Sequence, residues 1–120
     1  RGVSQLVSVD LAQAEQLAAQ FLQKQGLKLL HCNYRCRFGE IDLICQHDGA
    51  LVFVEVRLRS HAGFGGAAAS IDARKQARLV RTAQHYLATL PHIPPCRFDA
   101  ILIQSADSHG IEWVTNAFSA

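Results

Sequence analysis

The segment from Gly39 to Arg57, GEIDLICQHDGALVFVEVR, most constrains the fold because it has the pattern of a β-hairpin. Asp48-Gly49 lies between two largely apolar runs, and Asp-Gly in this context is a strong signal of a hairpin turn. A loop of two or four residues centred there gives one register, whereas a three-residue loop would break it. Residues equally distant from this turn then face each other across the two strands. We therefore expect Asp42 opposite Glu55 and Glu40 opposite Arg57.

In this register the two faces of the hairpin differ in polarity. One face is expected to belong to the core throughout and carries Ile41, Leu43, Cys45, Val52, Val54, Val56 and Leu58. The other is apolar near the turn and carries Glu40, Asp42, Glu55 and Arg57 at its far end. Directly opposed side chains have Cβ atoms about 5 Å apart, and two carboxylates at that distance repel by about 3 kcal/mol at an effective dielectric constant near 20.

A cation is therefore expected near Asp42 and Glu55. One candidate is Arg57, which would form an ion pair with Glu40 at the end of the strands. The other is a divalent metal, Mg²⁺ or Mn²⁺, held by one or two carboxylates together with a backbone carbonyl and waters. Spacing alone leaves both interpretations open.

Length and composition predict one globular domain over residues 1–120, since 49% of the residues are hydrophobic and 18% are charged. The chain contains neither a long apolar run nor a signal-peptide pattern at its start, so we expect no membrane insertion and a cytoplasmic location. The four cysteines lack the spacing of a disulfide framework and are expected to be reduced. A zinc site formed by His31, Cys32 and Cys36 is an alternative.

The net charge of +2 is too small to indicate nucleic-acid binding by itself, but the basic residues are clustered. The first predicted strand lies within residues 27–38, LKLLHCNYRCRF, where Tyr34 is interleaved with Arg35 and Arg37. The second predicted helix runs from Ser70 or Ile71 to near Leu90, and its basic face consists of Arg74, Arg78, Arg81 and His85. A phosphate backbone is an economical counterpart for these groups. Ordinary solvated surfaces are the alternative.

The remaining elements complete an α/β pattern. The first helix is predicted after Asp10 as N-cap and before Gly26, with Glu15 beside its apolar stripe. Two further strands are predicted from Arg97 to Ile103 and from Ile111 to Phe118. Asp99 interrupts the first of these, either as a partner of Arg97 or as a metal ligand. The order helix, three strands, helix, two strands predicts a three-layer α/β/α sandwich with a mixed central sheet.

Asp42 on one strand and Glu55-Val56-Arg57 on the next resemble the signature of the PD-(D/E)XK nuclease superfamily, with its final lysine changed to arginine. More closely, the chain resembles the YraN-like family of small predicted endonucleases, which is related in pattern to Holliday-junction resolvases. The matching residues are Glu15, Asn33, Arg35, GEIDLI at 39–44, LVFVEV at 51–56, Phe64-Gly65, Lys75-Gln76, Ala83, Tyr86-Leu87 and Arg97-Phe98-Asp99.

This resemblance implies a restriction-endonuclease-like core and metal-dependent hydrolysis of phosphodiester bonds in DNA. Branched DNA as the substrate and a homodimer as the assembly follow by analogy with resolvases. The implied metal ligands are Asp42, Glu55 and the Val56 carbonyl, with Glu15 as an outer acid.

Arg57 is the main departure from the family pattern. Arginine stays protonated in proteins, so Arg57 could hold the scissile phosphate but not act as a general base. Lys75, near the start of the second helix, is a candidate to compensate; the alternative is that it extends along the helix end into solvent. Two other functions stay open: a catalytically inactive nucleic-acid-binding module, and a scaffold whose basic helix contacts an acidic protein. The loop Ser60 to Ala69, with Phe64, is expected to form a flap over the site; the alternative is a surface loop with Phe64 packed into the core.

Overall fold

The computed structural model describes residues 10–58, 71–104 and 110–119. Along these residues the elements are α1 (Leu11–Lys24), β1 (Lys28–Cys36), β2 (Gly39–His47), β3 (Ala50–Leu58), α2 (Ala73–Leu87), β4 (Cys96–Ile103) and β5 (Ile111–Phe118). The strands form one sheet in the order β1-β2-β3-β4-β5, with β3 and β4 parallel and the other neighbours antiparallel. The predicted α/β class with a mixed sheet is confirmed.

The β2–β3 hairpin has the predicted turn, and it has the predicted register over the five residue pairs nearest the turn. Asp48 and Gly49 have φ angles of 51° and 81°, the combination that a two-residue turn with the twist of the strands requires. The paired residues run from His47 with Ala50 to Leu43 with Val54. The predicted flap from Ser60 to Ala69 and the start of the loop before β5 lie outside the described residues.

Two apolar clusters cover the two faces of β3, because alternate residues of this strand point to opposite sides. The cluster beneath α1 contains Ala14, Ala18, Leu22, Leu27, Leu43, Cys45, Val52, Val54, Val56, Ile101 and Ile103. The cluster beneath α2 contains Ile41, Ile44, Leu51, Phe53, Ile71, Leu79, Ala83, Tyr86, Phe98, Ala100 and Leu102. The two helices therefore pack against opposite faces of the sheet. The predicted face of Ile41 was wrong, since it lies with Ile44 rather than with Leu43.

The first helix has the predicted ends. Asp10 is its N-cap: the carboxylate accepts a hydrogen bond from Gln13 N at 2.8 Å, and Gln13 Oε1 accepts one from Asp10 N at 3.1 Å. Gly26 follows the helix with a φ of 96°, a conformation that glycine adopts without steric cost. No helix among residues 10–58, 71–104 and 110–119 is long and apolar enough to cross a membrane.

The second helix is shorter than the sequence predicted. Asp72 is the N-cap and accepts a hydrogen bond from Lys75 N at 2.8 Å, so the α-helix begins at Ala73 rather than at Ser70 or Ile71. At the other end, Thr89 N and Leu90 N donate to carbonyls only three residues back, at 3.0 Å each. These bonds form turns after Leu87 instead of a further helical turn.

Asp99 is a buried acid whose carboxylate is held by several hydrogen bonds. Its carboxylate accepts hydrogen bonds from Arg97 Nε at 3.1 Å, from Trp113 Nε1 at 2.9 Å and from Asn116 N at 3.0 Å. Asn116 has a φ of 52° at an irregularity in the β4–β5 pairing. The interpretation of Asp99 as a partner of Arg97 is therefore confirmed, and the carboxylate also links β4 to the edge strand β5.

We expect Asp99→Ala to lower the free energy of unfolding by about 3 kcal/mol or more, because it would leave Arg97 and the Trp113 N–H without a buried acceptor. Urea unfolding followed by circular dichroism measures this change. The control Gln84→Ala, at an exposed position of α2, should change the same quantity by no more than about 0.5 kcal/mol. A loss below about 1 kcal/mol in Asp99→Ala would show that this network contributes little.

Candidate functional site

The pairing of β2 with β3 changes character after Leu43 and Val54, where the backbone ladder ends. Beyond this pair the Val56 N–H donates to a side chain, Asp42 Oδ2, at 2.7 Å. The N–H and C=O of one strand residue point to the same edge of the strand. The Val56 carbonyl is therefore directed toward β2 as well, next to the Asp42 carboxylate.

A break in the alternation of β2 turns Asp42 toward α1. Ile41 and Ile44 both lie in the cluster beneath α2, although strict alternation would place them on opposite faces. This break brings Asp42 close to Glu15 of α1. Burial raises the pKa of Asp42 to about 8; the Val56 N–H opposes this effect, and the charges of Glu55 and Glu15 add to it. Without a cation beside it, Asp42 is therefore mostly protonated at neutral pH.

Glu55 is buried on the opposite face of the sheet, beneath α2. Its Oε2 lies 3.4 Å from Lys75 Nζ and 3.8 Å from Arg57 Nη1. The structure therefore brings Lys75 to the predicted site instead of leaving it extended along the helix end. The expected direct pairing of Asp42 with Glu55 across the ladder was wrong, because the ladder ends at Leu43 and Val54. The two acids lie toward opposite faces of the sheet, and the charge of Glu55 still acts on Asp42.

The expected ion pair between Glu40 and Arg57 was wrong. Glu40 Oε2 lies 3.4 Å from Arg35 Nε on β1, and Arg57 contacts Glu55 instead. The prediction extended the hairpin register to the strand ends. The ladder stops at Leu43 and Val54, so Glu40 and Arg57 do not face each other as a pair.

Asn33 is a residue of the site whose role the sequence reasoning missed. Its Nδ2 donates to Glu15 Oε1 at 3.1 Å and to Glu40 Oε2 at 2.9 Å, so one amide group joins α1 to the start of β2. Asn33 has a φ of 53°, a left-handed conformation that is uncommon in a strand and that asparagine tolerates better than most residues. An asparagine within an otherwise strand-forming run was the available signal.

The predicted nucleic-acid-binding residues fall into two groups. Arg35 and Arg37 are exposed at the end of β1 and in the following turn, and Arg74, Arg78 and Arg81 are exposed along α2. Arg37, Lys75 and Arg78 come together around one cavity beside the carboxylates. His85, expected on the same basic face, instead forms a hydrogen bond between its Nδ1 and the Tyr34 hydroxyl, at 2.5 Å.

The side chains of the site determine which metal ion it could hold. Within the described ranges, no group of three or more His, Cys, Asp and Glu side chains is arranged to hold a metal ion, which argues against zinc at His31, Cys32 and Cys36. Mg²⁺ has a different requirement, because it binds through one or two carboxylates and retains several waters. Asp42, Glu55 and the Val56 carbonyl supply oxygen donors of that kind, and a divalent cation would relieve the repulsion between the two acids.

Comparison with known proteins identifies close relatives across most of the chain. The model of the family described as "Uncharacterised protein family UPF0102" matches residues 14–103. The chain is 64% identical over 105 residues to UPF0102 protein NE0719 of Nitrosomonas europaea, covering 88% of this chain and 89% of the relative. It is 58% identical over 107 residues to a UPF0102 protein of Methylobacillus flagellatus, covering 89% and 94%.

A third relative, UPF0102 protein H16_A3579 of Cupriavidus necator, is 49% identical over 121 residues and covers 98% of this chain and 90% of its own length. The match therefore extends over both helices and all five strands. The family-level resemblance seen in the sequence is confirmed, and the chain belongs to the UPF0102 family.

Proposed function

We propose that this protein is a divalent-metal-dependent endonuclease that hydrolyses phosphodiester bonds in DNA. The observation that carries the proposal is the electrostatic repulsion between Asp42 and Glu55 at the end of the β2–β3 ladder, with Lys75 3.4 Å from Glu55. The raised pKa of Asp42, caused by burial and by neighbouring acids, is typical of residues in functional sites. A core network held together for stability alone has little use for two acids that repel each other.

Asp42, Glu55 and the Val56 carbonyl would hold the metal, with Glu15 as an outer acid that acts on Asp42. Mg²⁺ or Mn²⁺, when bound, supplies a water activated for attack and neutralises charge on the phosphate. Lys75 provides a compact positive charge beside Glu55, and Arg57 provides a planar fork of donors that suits a phosphate oxygen pair. Arg57 therefore binds and orients the scissile phosphate. Arg74, Arg78 and Arg81 of α2 position the DNA backbone.

The substrate and assembly follow from the family resemblance and are part of the same proposal. We assign the chain to the PD-(D/E)XK superfamily and its restriction-endonuclease-like core, with which helices on both faces of a mixed sheet are compatible. Branched DNA is the proposed substrate, and a homodimer would allow two strands to be cut symmetrically. A protein acting on chromosomal DNA in a bacterial cell works in the cytoplasm.

The second candidate function is a catalytically inactive DNA-binding module of the same fold. Lys75 and Arg57 both contact Glu55, so its negative charge already has two cationic partners. In this alternative the acids hold these side chains in place, and the basic residues of β1 and α2 bind phosphates without cleavage.

We expect Asp42→Asn to abolish both metal binding and cleavage, because it removes a charge while keeping an oxygen that accepts the Val56 N–H. Calorimetric titration with Mg²⁺ and Mn²⁺ measures binding, and a fluorescent four-way junction with a duplex control measures cleavage. Asp48→Asn makes the same chemical change at the exposed turn of the hairpin and should behave as wild type. Wild-type protein that binds the junction but neither metal would contradict the nuclease and leave the DNA-binding module.

We expect Arg57→Lys to increase the rate of metal-dependent cleavage, because lysine is the family's usual residue and can lose its proton when buried. Single-turnover cleavage of the same junction measures this rate. If neither wild type nor Arg57→Lys cleaves the junction, and neither binds metal, the inactive DNA-binding module would be favoured.

We expect the stability of the metal-free protein to fall as pH rises from about 5 to 8. In this window folded Asp42 keeps its proton while the unfolded chain releases it, so the folded state binds more protons and the slope is negative. Relative to Asp42→Asn, wild type should lose on the order of a few kcal/mol across this window. Urea unfolding at each pH measures the difference, and saturating Mg²⁺ should reduce it. Parallel pH profiles for the two proteins would contradict the raised pKa.

A further inference from the structure

A cavity of about 470 Å³ lies beside the carboxylates, between the turn that joins β1 to β2 and the first turns of α2. Its lining includes Arg37 and Phe38 from the turn, Glu40 from β2, and Lys75 and Arg78 from α2. Lys75 Nζ is also the group 3.4 Å from Glu55 Oε2. The cavity, which we call the Phe38 cavity, therefore shares the Lys75 side chain with the candidate site.

The close approach of the turn to α2 gives this cavity its walls. Gly39 has a φ of 153°, and a Cβ built there would lie 3.2 Å from Thr82 Oγ1 and 3.9 Å from Arg78 Cβ. A side chain at this position would push the turn away from the helix. Thr82 is itself fixed, since it is buried and its hydroxyl donates to the Arg78 carbonyl at 2.8 Å.

The lining combines phosphate-binding and base-stacking groups. Arg37, Lys75 and Arg78 outnumber the single acid Glu40, so the cavity attracts an anion. The Arg37 guanidinium carbon lies 4.9 Å from the centroid of the Phe38 ring. A guanidinium plane and an aromatic ring are both surfaces on which nucleic-acid bases stack. Glu40 adds an acceptor for an amino group, which inorganic phosphate lacks and three of the four bases carry.

The size of the cavity matches one nucleotide rather than a duplex. Sites for small ligands range from about 300 to 1,000 Å³, and a cavity of 470 Å³ falls within this range. A base inside a duplex presents no free face to a protein ring, whereas an unpaired base does. The basic residues alone would suit any DNA backbone; the Arg37–Phe38 pair specifically suits an unpaired nucleotide.

We propose that the Phe38 cavity binds an unpaired nucleotide of a DNA strand, next to the phosphodiester bond that the carboxylate site acts on. The statement about the neighbouring bond rests on the proposed function. Substrates with a single-stranded segment, such as flaps, gaps or open junctions, would then be preferred over continuous duplex. Phe38 and Arg37 are specificity-determining residues in this account, and Lys75 is shared by the two sites.

The test measures binding without metal, in EDTA at one fixed salt concentration, by fluorescence anisotropy of a labelled single strand and the matched duplex. Wild type should bind the single strand more tightly. Phe38→Ala should weaken single-strand binding by about tenfold or more and leave duplex binding unchanged, and Phe38→Trp should restore it. Arg81→Ala, an exposed cation of α2 that is not part of the cavity lining, should weaken binding of both DNAs equally. Thermal unfolding of each variant checks that it folds.

Equal losses for single strand and duplex in Phe38→Ala, or an affinity in Phe38→Ala like that of wild type, would overturn the inference. The inference that the cavity binds a nucleotide within a strand would be overturned by one competition result. In that result, free mononucleotide displaces the labelled strand when its concentration equals the total concentration of nucleotides in the strand. These failures are distinguishable from failure of the proposed function. Calorimetry of wild type and Asp42→Asn tests the metal site without DNA, and the Phe38 measurements need no metal.

Discussion

The 2.7 Å hydrogen bond from Val56 N to Asp42 Oδ2 is the interaction on which the rest of the site depends. At this point a carboxylate accepts the hydrogen bond that continued pairing of β2 with β3 would have given to a backbone carbonyl. The exchange ends the ladder, shifts the alternation of β2 and draws an acid into the edge of the core. Its electrostatic cost appears in the pKa of Asp42, which burial raises to about 8.

The two helices deliver opposite charges to this point because they pack on opposite faces of the sheet. From α1 comes Glu15, which Asn33 holds at 3.1 Å and which adds to the negative potential around Asp42. From α2 comes Lys75, which lies 3.4 Å from the buried Glu55. The site therefore has an acidic side toward α1, formed by Glu15 and Asp42, and a mixed side toward α2, where Glu55 contacts Lys75 and Arg57.

Local signals in the sequence predicted much of the fold. Asp48-Gly49 determined the turn and register of the hairpin, Asp10 and Gly26 determined the ends of α1, and the strand from Ile111 to Phe118 was predicted with its observed ends. These features depend on neighbouring residues and on backbone conformations that few residue types tolerate. The same local signals predicted which segments form helices and which form strands.

The errors arose where tertiary contacts override local pattern. Strict alternation could not show that Asp42 would replace a ladder partner, so the positions of Ile41, Glu40 and Arg57 were misassigned. The helix α2 begins at Ala73 instead of Ser70 or Ile71 because Asp72 caps its N-terminus. Asn33 lies 18 positions from Glu15 and 7 positions from Glu40 in the sequence. Neither helical nor strand periodicity predicts that these residues are in contact.

The most direct measurement of the central claim is the carboxyl pKa of Asp42, from a ¹³C NMR titration with Asp48→Asn and Asp42→Asn used to assign the resonance. The account predicts a value near 8 without metal and a marked fall at saturating Mg²⁺, because a divalent cation binds the deprotonated carboxylate. A pKa in the ordinary range near 4 that Mg²⁺ does not change would contradict it. In that case the carboxylate would be a structural acceptor for Val56 and nothing more.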